Sequence, residues 1–247
     1  MLNIPDITKR AECVMGIDEA GRGPVLGPMV YACAFWPIEL SKKYEDIGAK
    51  DSKQLKLEER EKILNELLEL EEFGYLYKVL EASFLSASML SKSKYNLNNL
   101  SHDTVIDMIN LLLKEGVNLK TVYIDTVGDP GKYQSKILSR LIKPVEVVVS
   151  KKADSLYPVV SAASIVAKVN RDLLIQPDWG SGYPADPNTV AWLNKSIDPV
   201  FGFTDNVRFS WSTCTKLLES NCVPVEWEPK KAKLIPSTSL FSALGFS

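Results

Sequence analysis

Up to about residue 175, short apolar runs alternate with longer segments whose apolar residues recur at helical spacing. That alternation is what most limits the folds open to this chain. "CVMGIDE", "MVYACAFW", "YLYKVLEAS" (Tyr75 to Ser83), "LKTVYIDTVG" and the stretch from Val145 to Val149 read as strands. Between and after them, "DSKQLKLEEREKILNELLELEE", "NNLSHDTVIDMINLLLKEG", "KYQSKILSRLI" and "VVSAASIVAKVNRDLL" read as helices. Ser101 is the expected N-cap of the second helix and Gly116 its expected stop. The small residues of the last helix permit close packing on a sheet. Strands interleaved with helices fold as an α/β layer structure around one sheet. Residues 1–175 are therefore expected to form one core.

From Pro177 the pattern changes. "QPDWGSGYPADPNTVAWLNKSIDPVFGF" is rich in turns and short helices, and "SWSTCTKLLESN" is a further helix. Residues 176–225 are expected to form a helical extension. Residues 226–247 are rich in Pro, Lys and Ser and read as a tail that lies along a partner or hangs loose.

Several classes are excluded. Met29 to Trp36 is far short of the ~18 apolar residues a membrane helix needs, and "MLNIPDITKR" has no apolar signal region. Cys13, Cys33, Cys214 and Cys222 show no C-x-x-C spacing and read as reduced thiols rather than zinc ligands. His102 is the only histidine, which rules out a two-histidine acid–base ribonuclease. Its place near a helix start reads as a capping or surface position. A net charge of −2 argues against a protein that coats nucleic acid nonspecifically, while leaving room for a basic groove beside an acidic site.

Three segments end an apolar strand on or near aspartate: "GIDE" at Asp18, "YIDT" at Asp125 and "KKAD" at Asp154. In an open α/β sheet the strand carboxyl ends converge on one crevice, where ligands bind. Three aspartates with Glu19 would repel one another there unless cations held them. Hard carboxylate oxygens suit Mg²⁺ or Mn²⁺. Two such ions about 4 Å apart activate a water and stabilise the leaving oxygen of an in-line phosphoryl displacement. Beside these acids lies "GRG", Gly21 to Gly23. Glycines let the backbone approach a ligand and present its N–H groups, and Arg22 can pair with a phosphate. The spacings of dinucleotide-binding and P-loop motifs are absent.

"GIDEAGRGPVLGPMVYACAF", "DSKQL", "VYIDTVGDP", "KKADSLYPVVSAASIVAKVNRD", "GSGYPADPNT" and "FGFTDNVRFSW" resemble the ribonuclease HII family, in particular the catalytic subunits of eukaryotic type 2 ribonuclease H. The likeness runs from about Val14 to Leu218. It implies an RNase H-like fold, a mixed central sheet flanked by helices, with residues 1–175 as catalytic core and 176–225 as a helical substrate-binding extension. It implies endonucleolytic cleavage of RNA in RNA/DNA hybrids and incision 5′ of single ribonucleotides embedded in duplex DNA. Asp18, Glu19, Asp125 and Asp154 would hold two divalent ions. Gly21, Arg22 and Gly23 would read the ribose 2′-OH and flanking phosphate. Tyr183 would pack on the following deoxyribose, and Lys53 would lie near the backbone phosphates. Lys132, Lys136, Arg140, Lys143, Lys151 and Lys152 are candidates to line the duplex groove. The resemblance further implies a heterotrimer with two accessory, non-catalytic subunits and a nuclear location, with a cytoplasmic one also open. Two alternatives stand beside this reading: a non-catalytic nucleic-acid-binding subunit of the same fold, and an RNase H-like DNA nuclease or resolvase.

Overall fold

The computed structural model describes residues 1–44, 55–92 and 95–225. They build a six-stranded mixed sheet in the order β1-β4-β3-β2-β5-β6. The strands are β1 (Leu2–Asn3), β2 (Cys13–Ala20), β3 (Met29–Pro37), β4 (Gly74–Leu80), β5 (Leu119–Asp125) and β6 (Glu146–Ser150). β2, β3 and β4 run antiparallel to one another, whereas β5 joins β2 in parallel and β6 joins β5 in parallel. The helices are α1 (Ile7–Arg10), α2 (Leu57–Leu68), α3 (Ala82–Met89), α4 (Leu97–Lys114), α5 (Pro130–Leu138), α6 (Ala153–Leu156), α7 (Pro158–Asp172), α8 (Pro187–Ser196) and α9 (Ser212–Asn221).

The sheet is covered on both faces, and strand alternation sorts its side chains accordingly. Met15, Ile17, Tyr31, Cys33 and Phe35 join one core with Val105, Ile109 and Leu112 of α4 and Tyr133 and Ile137 of α5. Ala32, Ala34 and Trp36 face the other way, against Val159, Val160, Ala163 and Ala167 of α7. Every residue of β3 is buried. The approach of α7 is closest at Gly16, where a Cβ would stand 2.3 Å from the backbone carbonyl carbon and oxygen of Val159. A third apolar cluster gathers Trp179, Leu193, Phe203, Val207 and Cys214 around Val25 and Leu26, just after the Gly-rich turn.

Three local expectations are corrected. The strand expected over Tyr75 to Ser83 ends at Leu80, and Ala82–Met89 is helix α3. Extended Glu81 separates the two (φ −61°, ψ 151°), but the continuous apolar character of the segment conceals the change of period. Asn96, not Ser101, caps α4, its side chain accepting from the Asn99 amide at 2.9 Å. Ser101 lies buried in the second turn, its hydroxyl donating to the Leu97 carbonyl at 2.8 Å. His102 is neither cap nor surface group. It is half-buried, stacked on Tyr133 with ring centroids 3.9 Å apart, and its Nε2 lies 3.1 Å from the Val127 carbonyl oxygen. Gly116 does end α4, with φ +89°.

Gly16 and Gly116 separate packing from backbone strain, because a Cβ at Gly116 meets nothing within 4 Å. Gly116→Ala is expected to cost about 1–2 kcal/mol, the strain of a left-handed residue alone. Gly16→Ala is expected to cost about 3 kcal/mol or more, because the α7 backbone must move. Equilibrium urea unfolding of both variants measures this. A smaller loss for Gly16→Ala would contradict the close approach of α7.

Candidate active site

The parallel pairing of β2 with β5, with Ile17 opposite Ile124, brings the ends of both strands side by side. Asp18 and Asp125 follow immediately. Asp18 is buried at 7% exposure, and its Oδ1 accepts the Glu19 amide at 2.8 Å. Burial pushes its carboxyl up to about 6, the Asp125 charge adds to the rise, and the Ser164 hydroxyl and the Lys168 charge on α7 moderate it. Burial pushes Glu19 further, to about 8, with Asp18 and Asp125 raising it and Arg22 opposing them. The third acid reaches the same corner through the backbone. Asp125 Oδ1 accepts the amide of Ala153 at 2.9 Å, fixing the first residue of α6. The next residue, Asp154, is buried. Lys152, with φ +56°, supplies the abrupt turn that this requires.

Asp18, Glu19 and Asp125 thus sense one another's charge, and Asp154 is anchored next to Asp125. Among the described residues, no group of three or more carboxylate, histidine or cysteine side chains forms a ready-made metal site. The donor chemistry fits a hard divalent cation nonetheless. All four groups offer carboxylate oxygens, and the raised proton affinities of Asp18 and Glu19 show buried acids short of positive charge.

The Gly-rich turn lies next to the acids, beyond Ala20. Gly21 has φ +78°, and a Cβ there would fall 2.6 Å from Arg171 Nε and 2.8 Å from the Pro28 carbonyl oxygen. Arg22 donates to Ser101 Oγ at 2.7 Å and to Asn98 Oδ1, so α4 holds its guanidinium. Gly23 faces Tyr183: a Cβ would lie 3.1 Å from the ring. Tyr183 is 44% exposed, and the Arg171 guanidinium sits 5.9 Å from its ring centroid. Arg171 also donates to the Ser181 carbonyl at 3.1 Å, while the Gly182 carbonyl accepts from the Val25 and Leu26 amides. The glycine turn and the tyrosine loop are therefore stitched together. A cavity of about 570 Å³ opens between them, bordered by Glu19, residues 21–23, Arg60, Lys168, Arg171, Asp172 and Tyr183.

Lys53 lies outside the described residues. Two of the candidate groove cations are engaged within the fold: Lys136 and Arg140 both pair with Asp103 of α4. Lys143 donates to the Leu113 carbonyl at 3.4 Å. Sequence reasoning missed Arg60, which pairs with Asp172 at 3.0 Å, together with Lys168, Arg171 and Arg208.

A family model described as ribonuclease HII matches residues 15–214. A ribonuclease H2 subunit of Bos taurus is 47% identical over 238 residues, covering 91% of this chain and 79% of that protein. The crystal structure of ribonuclease H2 from Pyrococcus horikoshii OT3 superposes with a TM-score of 0.73 at 33% identity, covering 84% of this chain and 98% of that one. Bst-RNase HIII in complex with Mn²⁺ shares the fold, with a TM-score of 0.64 at 20% identity over 89% of this chain and 74% of that one. With the acids at the ends of two parallel strands, the glycine turn against the tyrosine, and similarity over most of its length, the chain belongs to the ribonuclease HII family.

Proposed function

We propose that this chain is the endoribonuclease subunit that cuts the RNA strand of RNA/DNA hybrids and incises duplex DNA 5′ of a single embedded ribonucleotide, leaving 3′-OH and 5′-phosphate ends. The observation that carries the reading is the contact of Gly23 with Tyr183 beside Glu19. RNA and DNA differ at one nucleotide by the 2′-OH. A backbone turn free of side chains can approach that hydroxyl, and an aromatic ring on the adjoining sugar leaves no room for a second one. The Asn98 and Ser101 anchors leave further Arg22 N–H groups for a flanking phosphate. A non-catalytic relative or a DNA resolvase would have no use for acids and a sugar-reading turn in such close sequence.

Asp18, Glu19, Asp125 and Asp154 would hold two Mg²⁺ or Mn²⁺ ions, as the Mn²⁺ bound to Bst-RNase HIII suggests. Bound there, such ions activate a water and stabilise the leaving oxygen. The chain's part would be to aim four carboxylates, two from the end of β2, one from the end of β5 and one from α6, at one corner of the sheet. Lys53 would steady the backbone phosphates. The wider reading, action in ribonucleotide excision repair and removal of replication RNA in the nucleus with two accessory subunits, rests on the resemblance and on the word "subunit" in the relatives' name.

Asp125→Asn keeps an oxygen for the Ala153 amide but removes the charge. Cleavage of a single-ribonucleotide duplex in Mg²⁺ is expected to fall by about 10³-fold or more, with substrate affinity changed only a few-fold. Wild-type cleavage by this variant would overturn the metal assignment. Gly23→Ala displaces the Tyr183 ring, and its kcat/KM on that duplex is expected to drop by about 10- to 100-fold. The melting temperature should stay near wild type, since both residues lie at the cavity rim.

Proton uptake gives an independent test. A carboxyl raised to about 8 is mostly protonated at pH 7 without metal, and a cation displaces that proton. Isothermal titration with Mg²⁺ in buffers of different ionisation enthalpy is expected to register proton release at pH 7 that fades above pH 9. Glu19→Gln should remove most of it. Because the folded state binds these protons more tightly than the unfolded chain, their contribution to metal-free stability is full below pH 4 and lost as pH rises through 8.

A further inference from the structure

The backbone polar groups of the Gly-rich turn divide into two sets. All three of its carbonyls are engaged from behind. Arg208 is fully buried, and its guanidinium donates through Nη2 to Gly21 O at 2.6 Å, through Nη1 to Arg22 O at 3.1 Å and through Nε to Gly27 O at 2.9 Å. Trp211 completes the series, its Nε1 donating to Gly23 O at 3.1 Å, while its ring lies 4.9 Å from the Arg208 guanidinium carbon. The amides behave oppositely. Among the described residues no acceptor meets the N–H of Gly21, Arg22 or Gly23, and all three residues border the cavity. A peptide carbonyl and the N–H of the next residue share one plane and point in opposed directions, so holding the Gly21 and Arg22 carbonyls at the back sets the direction of the Arg22 and Gly23 amides, while the Gly23 and Gly27 carbonyls, which precede prolines, only anchor the turn.

Arg208 is also an unusual residue to bury. No carboxylate among the described residues pairs with it, Arg171 repels it, and burial presses its proton affinity down to about 9. A buried charge of this kind persists only where hydrogen bonds hold it. Here its N–H groups are spent on peptide carbonyls, and a cation on a carbonyl polarises that peptide and strengthens its N–H as a donor. The arrangement is a pre-oriented set of donors backed by positive charge, suited to a sugar hydroxyl or phosphate oxygen.

We infer that Arg208, contributed by the segment after residue 200, is a positioning residue that sets ribonucleotide selectivity by fixing the amides of Arg22 and Gly23 toward the substrate, with Trp211 anchoring the end of the turn beside it. This deepens the reading of the turn as the ribonucleotide reader and rests on it. The segment that follows the core would then do more than enlarge the binding surface: it would hold the reader in its working shape.

The test uses the full chain with Asp125→Asn to prevent cleavage. It compares affinity for a duplex carrying one ribonucleotide with affinity for the same duplex in all-DNA form. Trp211→Phe removes one N–H donor while keeping a ring beside Arg208. Arg208→Lys keeps the charge but loses the three-carbonyl fork. The ribo-to-deoxy affinity ratio is expected to fall about tenfold or more for Arg208→Lys, mainly through the ribonucleotide duplex, and to stay within about twofold for Trp211→Phe, whose lost bond is to a peptide without an N–H. A purely structural role would weaken both duplexes alike. Equal losses on both duplexes, or an unchanged ratio, in the Arg208 variant overturn the inference. If Arg208→Lys does not fold, Arg208→Gln, whose amide keeps donors for part of the turn, decides in its place by the same ratio. A parent protein without ribonucleotide preference would overturn the reading of the turn, and this inference with it.

Discussion

The rest of the structure depends on how closely α7 lies on β2. At Gly16 no side chain separates them, and the Val159 backbone takes the space a Cβ would fill. The buried faces of α7 keep that approach tight through Val160, Ala163 and Ala167. From this one contact follow the positions of Ser164, Lys168 and Arg171, spaced along α7. The first two act on Asp18, and the third reaches Gly21 and the Tyr183 ring. One helix seated on one glycine therefore serves both the acids and the turn.

The site keeps buried charges of opposite sign near one another without neutralising them. Asp18 and Glu19 sit on one side of Ala20, with proton affinities raised by burial. Arg171 and Arg208 sit beyond it, with proton affinities lowered by burial. Direct pairing would relieve both sets and silence both. Separate contacts prevent that: Arg208 is held by carbonyls of the turn, and Arg171 by the Ser181 carbonyl and by Asp172, 3.5 Å from its Nη1. A buried cation such as Arg208 costs stability, and perturbed groups of this kind cluster at functional sites. The acids remain available to cations, and the turn remains available to an anionic backbone.

Much of this was legible in the sequence, for identifiable reasons. Long elements with clear period, such as β3, α4 and α7, announce themselves, and acids at the ends of apolar strands follow from strand patterning alone. Short-range switches were not legible. Leu80 to Ala82 passes from strand to helix inside one apolar stretch, and Ser101 looked like a cap because serine often is one. Arg208 was hidden for a deeper reason. A basic residue between Val207 and Phe209 reads as a solvated charge unless one knows that 186 residues earlier in the chain a glycine turn presents its carbonyls there. That knowledge is tertiary, and no local period encodes it. The mixed order of the sheet likewise depends on which strands pair, not on how each reads.

The chain order of these parts has a mechanical meaning. Glu19, Ala20 and Gly21 are consecutive, so a single residue separates the acidic pair from the turn. Beyond α7, which both share, the two have separate supports: the acids lean on β5, the turn on α4, Arg208 and Trp211. Leu26 bridges to Val207, and the Gly27 amide donates to the Asn206 carbonyl at 2.9 Å, tying the same short stretch to the C-terminal segment. A disturbance there would reach the turn within a few residues but would meet the rigid, fully buried β3 before spreading through the sheet. The turn is thus held from the C-terminal side, whereas the acids stand where the parallel pairing of β2 and β5 puts them.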